Sequence, residues 1–315
     1  MTRAAGVSGE AELMTAMRGG QGWAGLLVCA AMLGLFAPGS ARAQQGAELD
    51  YPLAIAAGPA GEIYLADRSL PGVWKLTDGK LTLVFQGSKK FRTPLNAVRC
   101  VAVDAQGRVY AGDSATREVY RFNDQNQPEP LAHSATGTGI GIPMAIAFDK
   151  DQNLVVADLE FPGRVVKIPA GGGEPVVLAQ VNAPRGLTVD GEGRVWVLTH
   201  GKDRQVVRLL PDGKVETVVE GQPFDFPQSI VLDDEGHAYV ADGYAKAIWK
   251  IPAGGGEPVK LVEGHGLLHP DGVTIHKGEL LVVDPKVRKG GAKGGATGVF
   301  RLTRTGQLTP VELTP

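Results

Sequence analysis

Carboxylates, guanidinium groups and histidines recur in this sequence at spacings that bear on chemistry. Asp67, Asp113, Asp158, Asp242 and Asp284 end five similar segments, and Thr199 holds the corresponding place in a sixth. Gathered at one point, such carboxylates would suit a hard cation, which takes several oxygen ligands. With Thr199 counted, the six positions are instead spaced 41 to 46 residues apart along the chain, so each belongs to its own structural unit. An Asp in a turn readily accepts backbone N–H bonds, and these five are read as scaffold. His200, His265 and His269 fall in predicted loops on one face, and His200 follows Thr199, which replaces the usual Asp. There is no G-x-S-x-G elbow and no H-E-x-x-H pair, so two common hydrolase arrangements are excluded. Ile-Pro-Ala-Gly-Gly-Gly-Glu-Pro-Val occurs at 168–176 and again at 251–259. Neither copy has the Lys-Ser/Thr or the following helix of a phosphate loop, and both are read as hairpin turns.

The elements that position these residues follow from internal repetition. Copies begin at Pro52-Leu53-Ala54-Ile55, Val98-Arg99-Cys100-Val101, Pro143-Met144-Ala145-Ile146, Pro184-Arg185-Gly186-Leu187, Pro227-Gln228-Ser229-Ile230 and Pro270-Asp271-Gly272-Val273. Each leads through a turn such as Asp104-Ala105-Gln106-Gly107 into a second strand. A third strand follows, as in Val73-Trp74-Lys75-Leu76 and Ile248-Trp249-Lys250-Ile251. Adjacent apolar residues put bulk on both faces of that strand, as a sheet packed between two others requires. Its Lys or Arg is predicted to be solvated at the blade edge. Four strands per unit and six units predict an all-β fold, a six-bladed β-propeller of four-stranded antiparallel blades over residues 51–315. The high count of 44 Gly and 21 Pro suits so many tight turns.

The starts of the repeats, with second strands such as Ala238-Tyr239-Val240-Ala241-Asp242, resemble the NHL repeat family over about residues 51–315. That resemblance implies blades arranged radially about a central channel, and such folds serve as enzymes, sensors and scaffolds alike. His269-Pro270-Asp271-Gly272-Val273 is also similar to a segment of the senescence-marker/gluconolactonase group, another six-bladed family. The second resemblance implies a divalent cation in the channel, held by a Glu, two Asn and an Asp, and hydrolysis of sugar lactones. Asp271 is the one position that matches, in the last blade. Leu53 stands where the early Glu would be sought.

The residue after each repeat's first position is predicted to face the channel mouth. These residues are Leu53, Arg99, Met144, Arg185, Gln228 and Asp271. Convergent polar groups beside apolar ones suit a ligand pocket, so Arg99, Arg185, Gln228, Asp271, Met144 and His200 form the candidate ligand-binding set. The competing expectation is a solvated rim with Arg99 or Arg185 paired to Asp271. No Asn occupies the mouth. Asp271 and Gln228 alone are too few for a hard cation, and a metal is expected only if the chain is lactonase-like. No other cofactor is predicted. Loops of the mouth face carry an excess of basic residues and those of the opposite face an excess of acidic ones. Lys89, Lys90 and Arg92 precede blade two, and Lys286, Arg288, Lys289 and Lys293 lie in the Gly-rich loop 285–298 of blade six. Together they predict a basic crescent that attracts an anionic partner.

A net charge of −2 argues against a nucleic-acid binder. Residues 1–43 read as a signal peptide, with an apolar run at 23–36 after Arg18 and an Ala41-Arg42-Ala43 cleavage site. Translation from Met14 or Met17 would remove Glu10 and Glu12 from its basic end. Residues 44–50 are a short connecting segment. The mature chain is expected to be exported, periplasmic or extracellular, monomeric and without a transmembrane anchor. Cys29 leaves with the signal, and Cys100 then acts as a small buried hydrophobe. The leading functional expectation is a binding scaffold for an anionic small molecule, an acidic glycan or a protein. The alternative is a gluconolactonase-like hydrolase or lyase with a central-channel site.

Overall fold

In a computed structural model, the described residues are 49–90, 92–131, 139–287 and 298–314. The predicted signal peptide, with its predicted cleavage site, and most of the connecting segment lie outside them, as do Arg288, Lys289 and Lys293 of the predicted basic crescent. The 24 strands form six separate four-stranded antiparallel sheets, each using four consecutive strands in simple meander order. Innermost strands run over Pro52–Ala57, Val98–Val103, Pro143–Phe148, Pro184–Val189, Pro227–Leu232 and Gly272–His276 in blades one to six. Each repeat supplies one complete blade, as the spacing predicts.

The second strand of blades one to five is buried at every residue. It has a strand on either side within its sheet and a blade against each face, which explains near-continuous apolar runs such as Val155-Val156-Ala157. Burying each Val or Leu there contributes about 1.5–3 kcal/mol. The core is therefore several inter-blade layers rather than one centre; one layer joins Tyr110, Ile146 and Val166 across blades two and three.

Three of the third-strand cations are not simply solvated. Lys75 lies over the Tyr64 ring at 5.6 Å, Arg208 over Trp196 at 5.2 Å and Lys250 over Tyr239 at 6.0 Å. Each stacks on the aromatic residue opposite it on the second strand, so in blades one, four and five the cation is a packing element with a wet tip.

The ring closes through the C-terminal segment. Thr314 N–H donates to the Gly79 carbonyl at 2.7 Å, and Leu81 N–H donates to the Thr314 carbonyl at 3.0 Å. Val311 and Leu313 then pack over Trp74, Leu81 and Val299. The last blade is thereby clamped to the outer hairpin of the first. The two Gly-Gly-Gly copies are hairpin turns, with Gly172 and Gly255 both at positive φ.

Candidate functional site

The five repeated Asp residues build the rim of the mouth rather than its chemistry. Asp242 is fully buried and accepts N–H bonds from Asp225 at 2.8 Å, Phe226 at 2.7 Å and Ala245 at 3.2 Å. Asp67, Asp113, Asp158 and Asp284 do the same for Asp50 and Tyr51, Asn96 and Ala97, Gly141 and Ile142, and Leu268 and His269. Each ties the loop entering its blade to the turn after the second strand. In blade four the Thr199 hydroxyl instead donates to the Arg204 carbonyl at 2.7 Å and accepts from Gly201 N–H at 3.1 Å.

Inside that rim, Leu53, Arg99, Met144, Arg185, Gln228 and Asp271 all line one central cavity of about 380 Å³. Below them the lining mixes Ile55, Val101, Ile146, Leu187, Ile230 and Val273 of the six innermost strands with the hydroxyl residues Thr188, Ser229 and Thr274. The next position in each copy is small: Ala54, Cys100, Ala145, Gly186, Ser229 and Gly272. Gly186 shows why, since a β-carbon there would lie 2.9 Å from the Gln228 carbonyl oxygen and 3.1 Å from Ser229 Cα. Close approach of the strands narrows the shaft beneath a polar opening.

Asp271 is nearly buried, and its Oδ1 lies 2.8 Å from His269 Nδ1. The expected pairing with Arg99 or Arg185 does not form, because His269 takes the carboxylate. That bond holds His269 above the usual histidine range, while burial pushes the Asp271 carboxyl up against the opposing pull of His269. Room for the imidazole exists because residue 243 is Gly: a β-carbon there would sit 2.4 Å from His269 Cε1.

Neither mouth arginine forms an ion pair among the described residues. Arg99 Nε donates to the Ser114 hydroxyl at 3.1 Å. Burial and then the charges of Arg68 and Arg185 press its protonation equilibrium down, although a guanidinium stays charged. Arg185 Nε is buried without a hydrogen-bond partner, as is His200 Nε2. Burial, followed by the Arg185 charge, pushes His200 down and favours its neutral form. Leaving such a group unsatisfied costs about 1–3 kcal/mol, so the mouth is built with spare donor capacity.

An aromatic wall joins these groups. Phe226 meets His200 edge-on at 4.6 Å, stacks on Tyr244 at 4.4 Å and lies 6.0 Å from His269. Arg185 sits 5.8 Å from the same ring centroid. Tyr244 is 64% exposed, which leaves much of its ring open to solvent. His200 and His269 thus belong to one cluster, whereas His265 is an exposed turn residue that joins none of these contacts.

The donor set does not fit a divalent cation. Two guanidinium groups occupy the ring, Leu53 and Met144 offer no oxygen from their side chains, and the single carboxylate is engaged by His269. Among the described residues, Asp233, Glu235 and His237 are close enough together to chelate. They lie in the first hairpin turn of blade five, on the opposite face. There Asp233 already meets Arg304, His237 and Tyr239, so its charge is compensated by the protein. Of the predicted crescent, Lys89, Lys90 and Arg92 are exposed before blade two. Lys286 lies 5.5 Å from the ring of Tyr51, the residue before blade one.

The profile of the SMP-30/gluconolactonase/LRE-like region matches residues 38–233. No curated protein matches the sequence significantly. Among solved structures, a Xanthomonas campestris gluconolactonase superposes with a TM-score of 0.64 at 15% identity, covering 76% of this chain and 84% of its own. A catalytically inactive histidine-to-alanine variant of virginiamycin B lyase from Staphylococcus aureus, with quinupristin, gives 0.61 at 16%, covering 83% and 84%. The PQQ-bound aldose sugar dehydrogenase of Streptomyces coelicolor gives 0.61 at 18%, covering 83% and 96%. At these identities the structures are similar in fold alone.

Proposed function

Because the chain belongs to the SMP-30/gluconolactonase/LRE-like family, we propose that it is a hydrolase or lyase acting on a cyclic ester at the channel mouth. The observation that carries this reading is the His269 Nδ1–Asp271 Oδ1 bond of 2.8 Å, with Asp271 lining the same cavity as two guanidinium groups that no carboxylate neutralises. Family membership and gluconolactonase-like neighbours favour it over a non-catalytic binding scaffold.

With Nδ1 donating to Asp271, the Nε2 atom of His269 is the basic position of the ring. In hydrolysis, Nε2 takes a proton from water as the water oxygen adds to the ester carbonyl. Negative charge grows on the carbonyl oxygen, where a guanidinium of Arg99 or Arg185 is the available partner. The carbonyl then re-forms, the ring C–O bond breaks, and the imidazolium returns the proton to the departing alkoxide. In a lyase the same base would remove a carbon-bound proton and the C–O bond would break by elimination. A base held by a buried carboxylate serves either outcome. The S. aureus lyase of this fold is inactive as a histidine-to-alanine variant, which supports assigning the base to a histidine.

The mouth residues supply no cation cage, so no step is assigned to a metal. The test is turnover of a panel of aliphatic and aromatic lactones by wild type, His269→Ala and Asp271→Asn. His269→Ala is expected to lower kcat by about 10²–10⁴-fold. Full activity in both variants would remove the dyad from the reaction.

A further inference from the structure

A buried guanidinium Nε without an acceptor, a histidine whose Nε2 is unpartnered, and a half-exposed aromatic stack converge at blades four and five. The family resemblance leads one to expect a cation site here, yet the ring presents Arg99 and Arg185. We propose that the mouth is an anion site and that its ligand is a planar aromatic carboxylate. This deepens the hydrolase-or-lyase reading and rests on it for catalysis: the substrates would be aromatic esters or lactones rather than sugar lactones, and the carboxylate is what their hydrolysis releases.

The chemistry follows from the groups present. A carboxylate has two oxygens for the fork of a guanidinium, and Arg185 Nε lacks an acceptor. His200 is pressed toward its neutral form, and its free Nε2 can donate to the same anion when the proton sits there. Phe226 and Tyr244 stack with an interplanar angle of 18°. They extend a flat apolar surface beside the charge, and Tyr244 has enough open ring to cover a second planar group. A sugar would find few neutral hydrogen-bonding side chains at this end of the channel, where Leu53 and Met144 complete the ring.

Isothermal titration of the mature protein with benzoate, benzamide, cyclohexanecarboxylate and calcium chloride tests this directly. Benzoate is expected to bind about tenfold or more tightly than the neutral amide. It should also bind severalfold more tightly than the non-aromatic acid, and calcium should give no heat. Arg185→Gln should weaken benzoate about tenfold or more while leaving benzamide unchanged. Tyr244→Ala should erase the preference for benzoate over cyclohexanecarboxylate. If Arg185→Gln does not fold, Arg99→Gln reads the same charge. Equal binding of benzoate and benzamide, no benzoate binding, or tight calcium binding overturns the proposal. Benzoate binding without turnover of any ester leaves the anion site standing and sinks the catalytic reading. Turnover of a sugar lactone without benzoate binding does the reverse.

Discussion

Replacing Gly243 by alanine should disable His269 without touching it. Gly243 follows Asp242 at the end of the second strand of blade five, and its φ is not in the left-handed region. Alanine therefore brings no backbone strain, only a methyl group. That methyl would lie 2.4 Å from His269 Cε1, 2.7 Å from Nδ1 and 2.8 Å from Nε2. Ordinary carbon contacts are about 3.5–4.0 Å, so the imidazole must retreat by roughly 1 Å. The bond to Asp271 is 2.8 Å now, and a shift of that size removes it. Hydrogen bonds to charged groups contribute about 1.5–3 kcal/mol. A misplacement of about 1 Å can cost a catalytic group about 10²-fold in rate. The assay has two parts. NMR titration of the His269 ring should show its raised pKa falling back toward the unperturbed ~6.5, and kcat should fall about 10²-fold at unchanged fold content. An unshifted His269 titration in a folded Gly243→Ala protein would refute the packing argument, whatever the rate.

Other consequences follow from the same contacts. Because Asp271 raises the His269 pKa, the bond stabilises the fold fully below the ordinary histidine pKa and is lost as pH rises through the higher folded value. Turnover needs the neutral base, so kcat should climb through that raised pKa, and Asp271→Asn should move the midpoint of the pH–rate profile downward. Asp242→Ala leaves three part-buried N–H groups without their acceptor and should cost about 3 kcal/mol, read as the shift of a urea unfolding midpoint; a loss under about 1 kcal/mol would mean water replaces the carboxylate. Cys100 is buried, and its thiol is pushed up to about 12, so a thiol reagent should label it at pH 8 only at the rate of global unfolding; prompt labelling of the native protein would show that blade two opens locally.

The sequence made the architecture legible because one device repeats. The Asp that closes five of the six second strands, the two-sided apolar strands and the turn glycines set register before any contact was known. It also identified the channel ring, since Arg99, Arg185, Gln228 and Asp271 differ at one equivalent position and all reach the cavity. The partner of Asp271 was not legible. The residue before each repeat's first position forms a second variable ring, Tyr51, Ala97, Ile142, Ala183, Phe226 and His269. The residue after the second-strand Asp forms a third, which includes Arg68, Ser114, His200 and Gly243. Reading those two rings at the repeat period would have singled out Phe226 and His269. Tyr244 lies one residue further on and had no periodic signal. Its stacking on Phe226 depends on the turn between the second and third strands, which sequence spacing alone does not orient. The aromatic packing of the third-strand cations was hidden for another reason: a solvated Lys and one laid over a tyrosine have the same sequence signature, and only register across strands separates them.

The central claim is that the mouth works through the His269–Asp271 pair and not through a cation cage. Hydrolysis of an aromatic lactone, measured before and after exhaustive chelation in wild type and His269→Ala, tests it most directly. The account predicts activity that chelation leaves unchanged and that His269→Ala abolishes. Activity that disappears on chelation, returns with added calcium or magnesium, and survives in His269→Ala would contradict it.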